Sequence, residues 1–344
     1  MRAARLQQGR NHLSVEEIDK PSVGSRDVLV NVRAASICGS DDHHLSGELP
    51  IEDERRPLTL GHEGAGIVVE TGDTVTSFEE GDRVTINYVI SCGNCDPCLR
   101  GYDNRCRSRK SIGSDLDGTF AEYIVLPARS AIKLPEAISY ELGSIASCAI
   151  STAFHAVERA ELEKGDTVVV FGVGGVGLHA VLLASLSLSQ TVIAVDPLDA
   201  KLDVAKEYGA DVTINPDEEN ATEVIRRLTD GYGADVTLEC SGSPLALEQA
   251  IEAINGTNRF ASGTAVSVGY QPSEIKATYW GLREGQLLVA GDHTRSELRR
   301  LMKLLESKRL NLTDSISSTT ELGDINDSID QVNNGTAGRL IVEP

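Results

Sequence analysis

The stretch TVVVFGVGGVGLHAVLLASLSLSQTVIAVD, from Thr167 to Asp196, decides the fold of this 344-residue chain. It opens on a β-branched apolar run, 167–171, and turns through Gly172, Gly174 and Gly177. An apolar helical pattern over 176–187 follows, and a second apolar run, 191–195, ends on Asp196. Strands that are apolar throughout, rather than alternating, belong to a parallel sheet covered by helices on both faces. The G-x-G-x-x-G pattern between strand and helix gives each glycine a task. One makes a tight turn, one lets the backbone approach a pyrophosphate, and one allows close packing of helix on strand. The N–H groups at the helix start face the phosphate charge. Gly172, Gly174, Gly175, Val176 and Gly177 are therefore expected to cradle a dinucleotide. Asp196, 19 residues after Gly177, is placed to accept hydrogen bonds from the adenosine ribose, and its charge opposes a 2′-phosphate. That favours NAD over NADP.

Outward from this unit the alternation continues. Strand patterns at 212–215, 235–240, 265–268 and 286–290 are separated by helical patterns at 200–208, 221–230 and 244–254. Gly209 stands where a helix C-cap glycine belongs. The first third of the chain reads differently, as short β runs at 28–32, 66–70 and 83–86 punctuated by Gly, Asp and Pro. The last fifty residues are mixed, with a helix at 296–307 and a strand at 339–342. A chain of this length divides more readily into two domains than one.

Composition narrows the function classes. Hydrophobic residues at 40% and charged residues at 24% are ordinary for a soluble globular protein. No apolar run is long enough to span a bilayer, and the first ten residues carry no signal segment, so a cytoplasmic location is expected. A net charge of −20 repels nucleic acid and anionic membranes, which leaves small molecules as partners. The acids are spread along the chain rather than gathered in a tail. Self-repulsion on this scale is tolerable at about 1 M salt, where the Debye length is about 3 Å, so a salt-adapted, halophilic source is expected.

Cys92, Cys95, Cys98 and Cys106 are spaced C-x2-C-x2-C-x7-C, four of the seven cysteines in the chain. Zinc takes four tetrahedral ligands, and thiolates on one turning loop supply them without a large core. Disulfides would need an oxidising compartment. An iron–sulfur cluster is the serious competitor, but the ferredoxin run ends on a different spacing and a proline, where this chain has Arg107. A structural zinc site is the expectation. Three further segments hold ligand types: Cys38 in ICGSDDH, His62 and Glu63 in LGHEGAG, and Cys148 in ASCAISTAFHAV. A catalytic zinc draws three ligands from separate loops, yet a lone cysteine such as Cys148 is more often core than ligand.

Taken in order, Cys38-x-Ser40-Asp41-Asp42-His43, Gly61-His62-Glu63, the four-cysteine run, Cys148 ahead of Ser151-Thr152, and the glycine loop with Asp196 resemble the zinc-dependent medium-chain alcohol dehydrogenases over essentially the whole chain. The resemblance implies an α/β protein. A GroES-like β-barrel catalytic domain would comprise residues 1–149 and 293–344, with a structural zinc lobe at about 91–107, and a Rossmann NAD-binding domain would span 150–292. It implies an oxidoreductase that moves a hydride between an alcohol, or an aldehyde or ketone, and a nicotinamide cofactor, using two zinc ions per subunit and NAD. Cys38, His62 and Cys148 would bind the catalytic zinc, with Glu63 able to exchange in. Asp41 would orient His62, and Ser40 and His43 would relay the alcohol proton. Thr152 would touch the nicotinamide, Lys201 the adenosine ribose, and Arg339 the pyrophosphate. His44, His155, His179 and His293 receive no motif role and read as surface or packing residues. Cys240 reads as a small hydrophobe. The family implies a homodimer or homotetramer. Its polyol, sugar and threonine branches carry Glu-Pro where this chain has Cys148-Ala149, which points first to simple alcohols and next to polyols or sugars. Zinc-free, NADPH-binding scaffold relatives lack both the cysteine lobe and the zinc ligands.

Overall fold

The computed structural model describes residues 1–187, 189–254, 263–270, 273–277, 284–308, 310, 312, 315–333, 335 and 338–344. It divides into two compact units, Met1–Ser151 with Asp292–Pro344, and Thr152–Gly291.

In the second unit, six parallel strands form one sheet: Thr167–Phe171, Thr191–Val195, Val212–Ile214, Val236–Glu239, Thr264–Ser267 and Gln286–Val289. Their spatial order is third, second, first, fourth, fifth, sixth, the doubly wound arrangement expected from the alternation. Helices Gly177–Ser185, Asp199–Glu207, Ala221–Leu228 and Pro244–Ala253 connect them. Val169, Phe171, Ile193 and Val195 are buried with Val224 and Ile225, which explains why these strands read as apolar on both faces. Observed ends fall within two or three residues of the sequence patterns. The differences lie at helix ends, where the last turn gives way to caps such as Gly209 at φ +101°.

The first unit is built on the strand Asp27–Ser36. One edge pairs antiparallel with Glu63–Thr71. The other edge is shared: Tyr123–Pro127 takes the first half, and Arg339–Glu343, from the C-terminal tail, takes Ala35 and Ser36. Leu322, Ile325, Ile329, Leu340 and Val342 of the tail share one core with Val28, Val30, Val68, Val84 and Phe120. Each such aliphatic side chain contributes about 1.5–3 kcal/mol on burial, so the tail returns to the N-terminal barrel by hydrophobic burial. The first unit is a GroES-like barrel and the second a Rossmann-type sheet. Within the first unit a short antiparallel pair, Val89–Ile90 with Lys110–Ser111, closes off the four-cysteine lobe at its base. No helix among the described residues is long and apolar enough to cross a membrane.

Candidate active site

The central strand and its neighbour set the geometry. Asp27–Ser36 ends two residues before Cys38, and Glu63–Thr71 begins one residue after His62, with Ser36 opposite Glu63 in register. The pairing therefore delivers Cys38 and His62 to the same end of the sheet. Cys148 lies in a π-helical segment, Ala146–Ile150, a helical irregularity found often at functional sites. That segment is tied to the sheet at Gly64, whose N–H donates to Ser147 Oγ at 3.2 Å. The result is that ligand atoms of Cys38, His62, Glu63 and Cys148 all lie within 4.8 Å of one another. Three distant segments thus converge on one point.

The electrostatics fit a cation there. Cys38 caps the helix Gly39–Ser46, and its N–H donates to Asp41 Oδ2 at 2.9 Å. Its thiol is held well below the usual range, first by the hydrogen bond with Cys148 and then by His62, with burial opposing. Cys148 is pushed up by that same hydrogen bond and by burial. A metal ion held by the two sulfurs would take the place of their protons. Burial opposes charge on His62, but Asp41 and Cys38 outweigh it and raise its pKa. Glu63 Oε1 and Asp41 Oδ1 are buried without a hydrogen-bond partner. Orphaned buried oxygens of this kind are costly, and a divalent ion beside them removes the cost.

Arg339 opens the strand Arg339–Glu343 in the first unit. Assigned by resemblance to the pyrophosphate, its guanidinium is buried, paired with Glu63 Oε2, and donates from Nε to Ser36 Oγ at 3.1 Å. The cause is the sheet pairing, which sets Arg339 beside a fully buried carboxylate that needs a counter-charge. Burial lifts Glu63 to about 8, with Arg339 the main opposing influence. Asp41 sits 3.8 Å from His62 Nδ1, near but beyond a hydrogen bond. Ser40 and His43 lie three residues apart on the helix Gly39–Ser46, hence on one face. His43 Nδ1 meets Glu48 Oε2 at 2.7 Å.

The four-cysteine lobe tests zinc directly. Its sulfurs lie within 4.8 Å of one another, with Cys95–Cys98 and Cys92–Cys106 at 3.5 Å and Cys95–Cys106 at 3.9 Å. Four sulfurs about 2.3 Å from one tetrahedral ion stand about 3.8 Å apart, whereas a disulfide requires about 2.05 Å. All seven cysteines are free. Backbone N–H groups of Arg107 and Cys98 point at Cys95 and lower its thiol to about 6, poised as a thiolate ligand. Backbone N–H groups of Cys92 and Ser108 likewise reach Cys106 Sγ.

In the second unit, Gly172 adopts φ +79°, and a Cβ on Gly177 would stand 1.9 Å from the Gly172 carbonyl oxygen. The turn therefore demands glycine at both positions. Asp196 Oδ2 accepts Val173 N–H and Oδ1 accepts Leu198 N–H, each at 3.0 Å, so the carboxylate is fixed across the loop. Lys201 lies in the helix Asp199–Glu207 and Thr152 is buried at the start of the unit. His179, left without a role by the sequence, meets the Gly175 carbonyl at 2.6 Å and braces the loop.

Sequence reasoning missed other residues as well. His44 is buried, with Nδ1 at the Leu49 carbonyl and Nε2 at Ser114 Oγ. Tyr88 stacks edge-on against His62, its centroid 5.0 Å away. No local pattern marks these positions.

Two family models match the chain: the alcohol dehydrogenase GroES-like domain over residues 24–136 and the zinc-binding dehydrogenase over residues 175–307. The sorbitol dehydrogenase of Halalkalibacterium halodurans is 32% identical over 344 residues, covering 99% of this chain and 98% of that one. The alcohol dehydrogenase of Geobacillus stearothermophilus is 31% identical, covering 100% and 99%. A solved structure from Sinorhizobium meliloti 1021, described as a zinc-binding dehydrogenase bound to NADP, superposes with a TM-score of 0.89 at 32% identity, covering 100% and 99%.

Proposed function

The chain belongs to the zinc-dependent medium-chain dehydrogenases, an oxidoreductase family acting on alcohols and polyols, and from that premise we propose an NAD-dependent dehydrogenase of simple alcohols. The observation that carries the reading is the meeting of Cys38, His62 and Cys148 at one point, from three separate segments. When bound, zinc supplies Lewis acidity toward the substrate oxygen, and the dinucleotide supplies the hydride acceptor. Cys38, His62 and Cys148 would hold the catalytic ion, with Glu63 at the same point as a further ligand atom. Cys92, Cys95, Cys98 and Cys106 hold a second, structural ion.

The residues of the chain do the rest. Ser40 Oγ accepts the alcohol proton and passes it toward His43. Glu48 Oε2 meets His43 Nδ1 at 2.7 Å, and the half-exposed ring hands the proton to solvent. Thr152 meets the nicotinamide, and Lys201 the adenosine ribose. Asp196 supports NAD, since a 2′-phosphate would bring like charge to a fixed, buried carboxylate. Cys148-Ala149 supports simple alcohols as substrates. The resemblance to a sorbitol dehydrogenase keeps polyols as the second reading. We also read the charge of −20 as adaptation to molar salt.

The test is a panel of primary, secondary, aromatic and sugar alcohols with NAD⁺ and NADP⁺, with zinc measured on the same sample. NAD-linked oxidation of simple alcohols by protein carrying about two zinc ions per chain is expected. Turnover with NADP⁺ alone, or of sugars alone, would reassign cofactor or substrate.

A further inference from the structure

Tyr88, Asp292 and His293 belong to no motif, yet they close a ring around the metal ligands. The Tyr88 ring meets His62 edge-on at 5.0 Å and His293 at 5.4 Å. Its hydroxyl donates to Asp292 Oδ1 at 2.9 Å. On the other side, Ser151 Oγ donates to the Cys148 carbonyl at 3.0 Å. The same Oγ is hydrogen-bonded to His293 Nδ1 at 2.9 Å. Two adjacent residues thus reach the two flanks of the centre: Asp292 reaches His62 through Tyr88, and His293 reaches Cys148 through Ser151.

The same turn is gripped by the cysteine lobe. Arg109, three residues after Cys106, pairs with Asp292 at 2.8 Å. Asp103, between Cys98 and Cys106, accepts the Arg295 N–H at 3.1 Å. Asp292 itself holds φ +59°, a conformation non-glycine residues adopt only where the surroundings enforce it. With Asp41 Oδ1 at 3.8 Å from Nδ1, packing against Tyr88 adds a second restraint on the plane of the His62 imidazole. Fixing the orientation of a ligand is what sets metal affinity beyond the ligand atoms themselves.

We propose that the turn 292–295 is a clamp through which the four-cysteine lobe positions the ligands of the second metal site, with Asp292 and His293 as positioning residues. The inference rests on the reading that Cys38, His62 and Cys148 hold zinc. The experiment is zinc release from the holoenzyme to a chromogenic chelator, followed in time. Wild type should release in two phases, and the phase absent from Cys38→Ser identifies the catalytic ion. Asp292→Asn keeps the shape and tolerates the left-handed backbone, and Tyr88→Phe keeps the ring. Each should speed the catalytic phase about tenfold, leave the lobe phase unchanged, and raise KM while the melting temperature stays as in wild type. The double variant should be no faster than either single one. Unchanged catalytic release in both variants overturns the clamp, as does equal acceleration of both phases with a lowered melting temperature. A wild type with no ion at Cys38, His62 and Cys148 overturns the underlying reading, and the clamp with it.

Discussion

The molecule carries two sulfur-rich centres made in opposite ways. The lobe takes its four ligands from fifteen consecutive residues, 92–106, and leaves Cys92 exposed and Cys95 and Cys98 half-buried. The Cys38, His62 and Cys148 centre takes three ligands spread over more than a hundred residues and draws them together through strand register and a π-helical segment. The first is a local loop closed by a two-residue strand pair, and an ion bound by its four sulfurs would supply its order. The second is assembled by a barrel that folds through its own core, so packing brings its residues together. Local sites stabilise, while assembled sites are free to be chemical, because a ligand set from separate loops leaves a coordination position open.

The predictions divide along that contrast. His62→Ala gives the largest effect. Turnover should fall about 10³-fold or more, several kcal/mol of transition-state stabilisation, while circular dichroism and NAD binding stay unchanged. Retained activity would remove the metal-assisted reading of the assembled centre. Cys95→Ser should cost one zinc per chain and lower the melting temperature, since structural zinc is worth roughly 10 kcal/mol in small sites. If activity vanished with no loss of stability, the division of labour between the two centres would be wrong. Asp196→Gly should move the NADP⁺ to NAD⁺ ratio of kcat/KM upward about tenfold, some 1.4 kcal/mol. It should also weaken both cofactors, because Val173 and Leu198 N–H groups lose their acceptor. An unmoved ratio would place the ribose elsewhere. The smallest effect is the most diffuse: the melting temperature should climb as KCl rises toward about 1 M, where charges are screened beyond about 3 Å. A maximum in dilute buffer would contradict salt adaptation.

Much of this was legible beforehand, but unevenly. Thr167 to Asp196 announces its strands, glycines and acid because each obeys a local rule of period, turn or spacing. The cysteine lobe is equally plain, because short loops fix distances between their own residues. Arg339 shows what such reading leaves out. Its place in the sequence suggests a tail residue near a cofactor, and only its strand pairing reveals the buried carboxylate it serves. Tyr88, Asp292 and His293 carry no local signal, since their partners lie up to about two hundred residues away.

The sequence alone determined the doubly wound sheet, the glycine cradle and the contiguous thiol cluster, since periodicity and short spacing are properties of neighbouring residues. The tertiary structure decided the rest: which cysteines meet His62, that Arg339 answers Glu63, and that one turn touches both metal centres. Those outcomes depend on strand register and on the burial of charge, and both are fixed only when distant parts of the chain share a core.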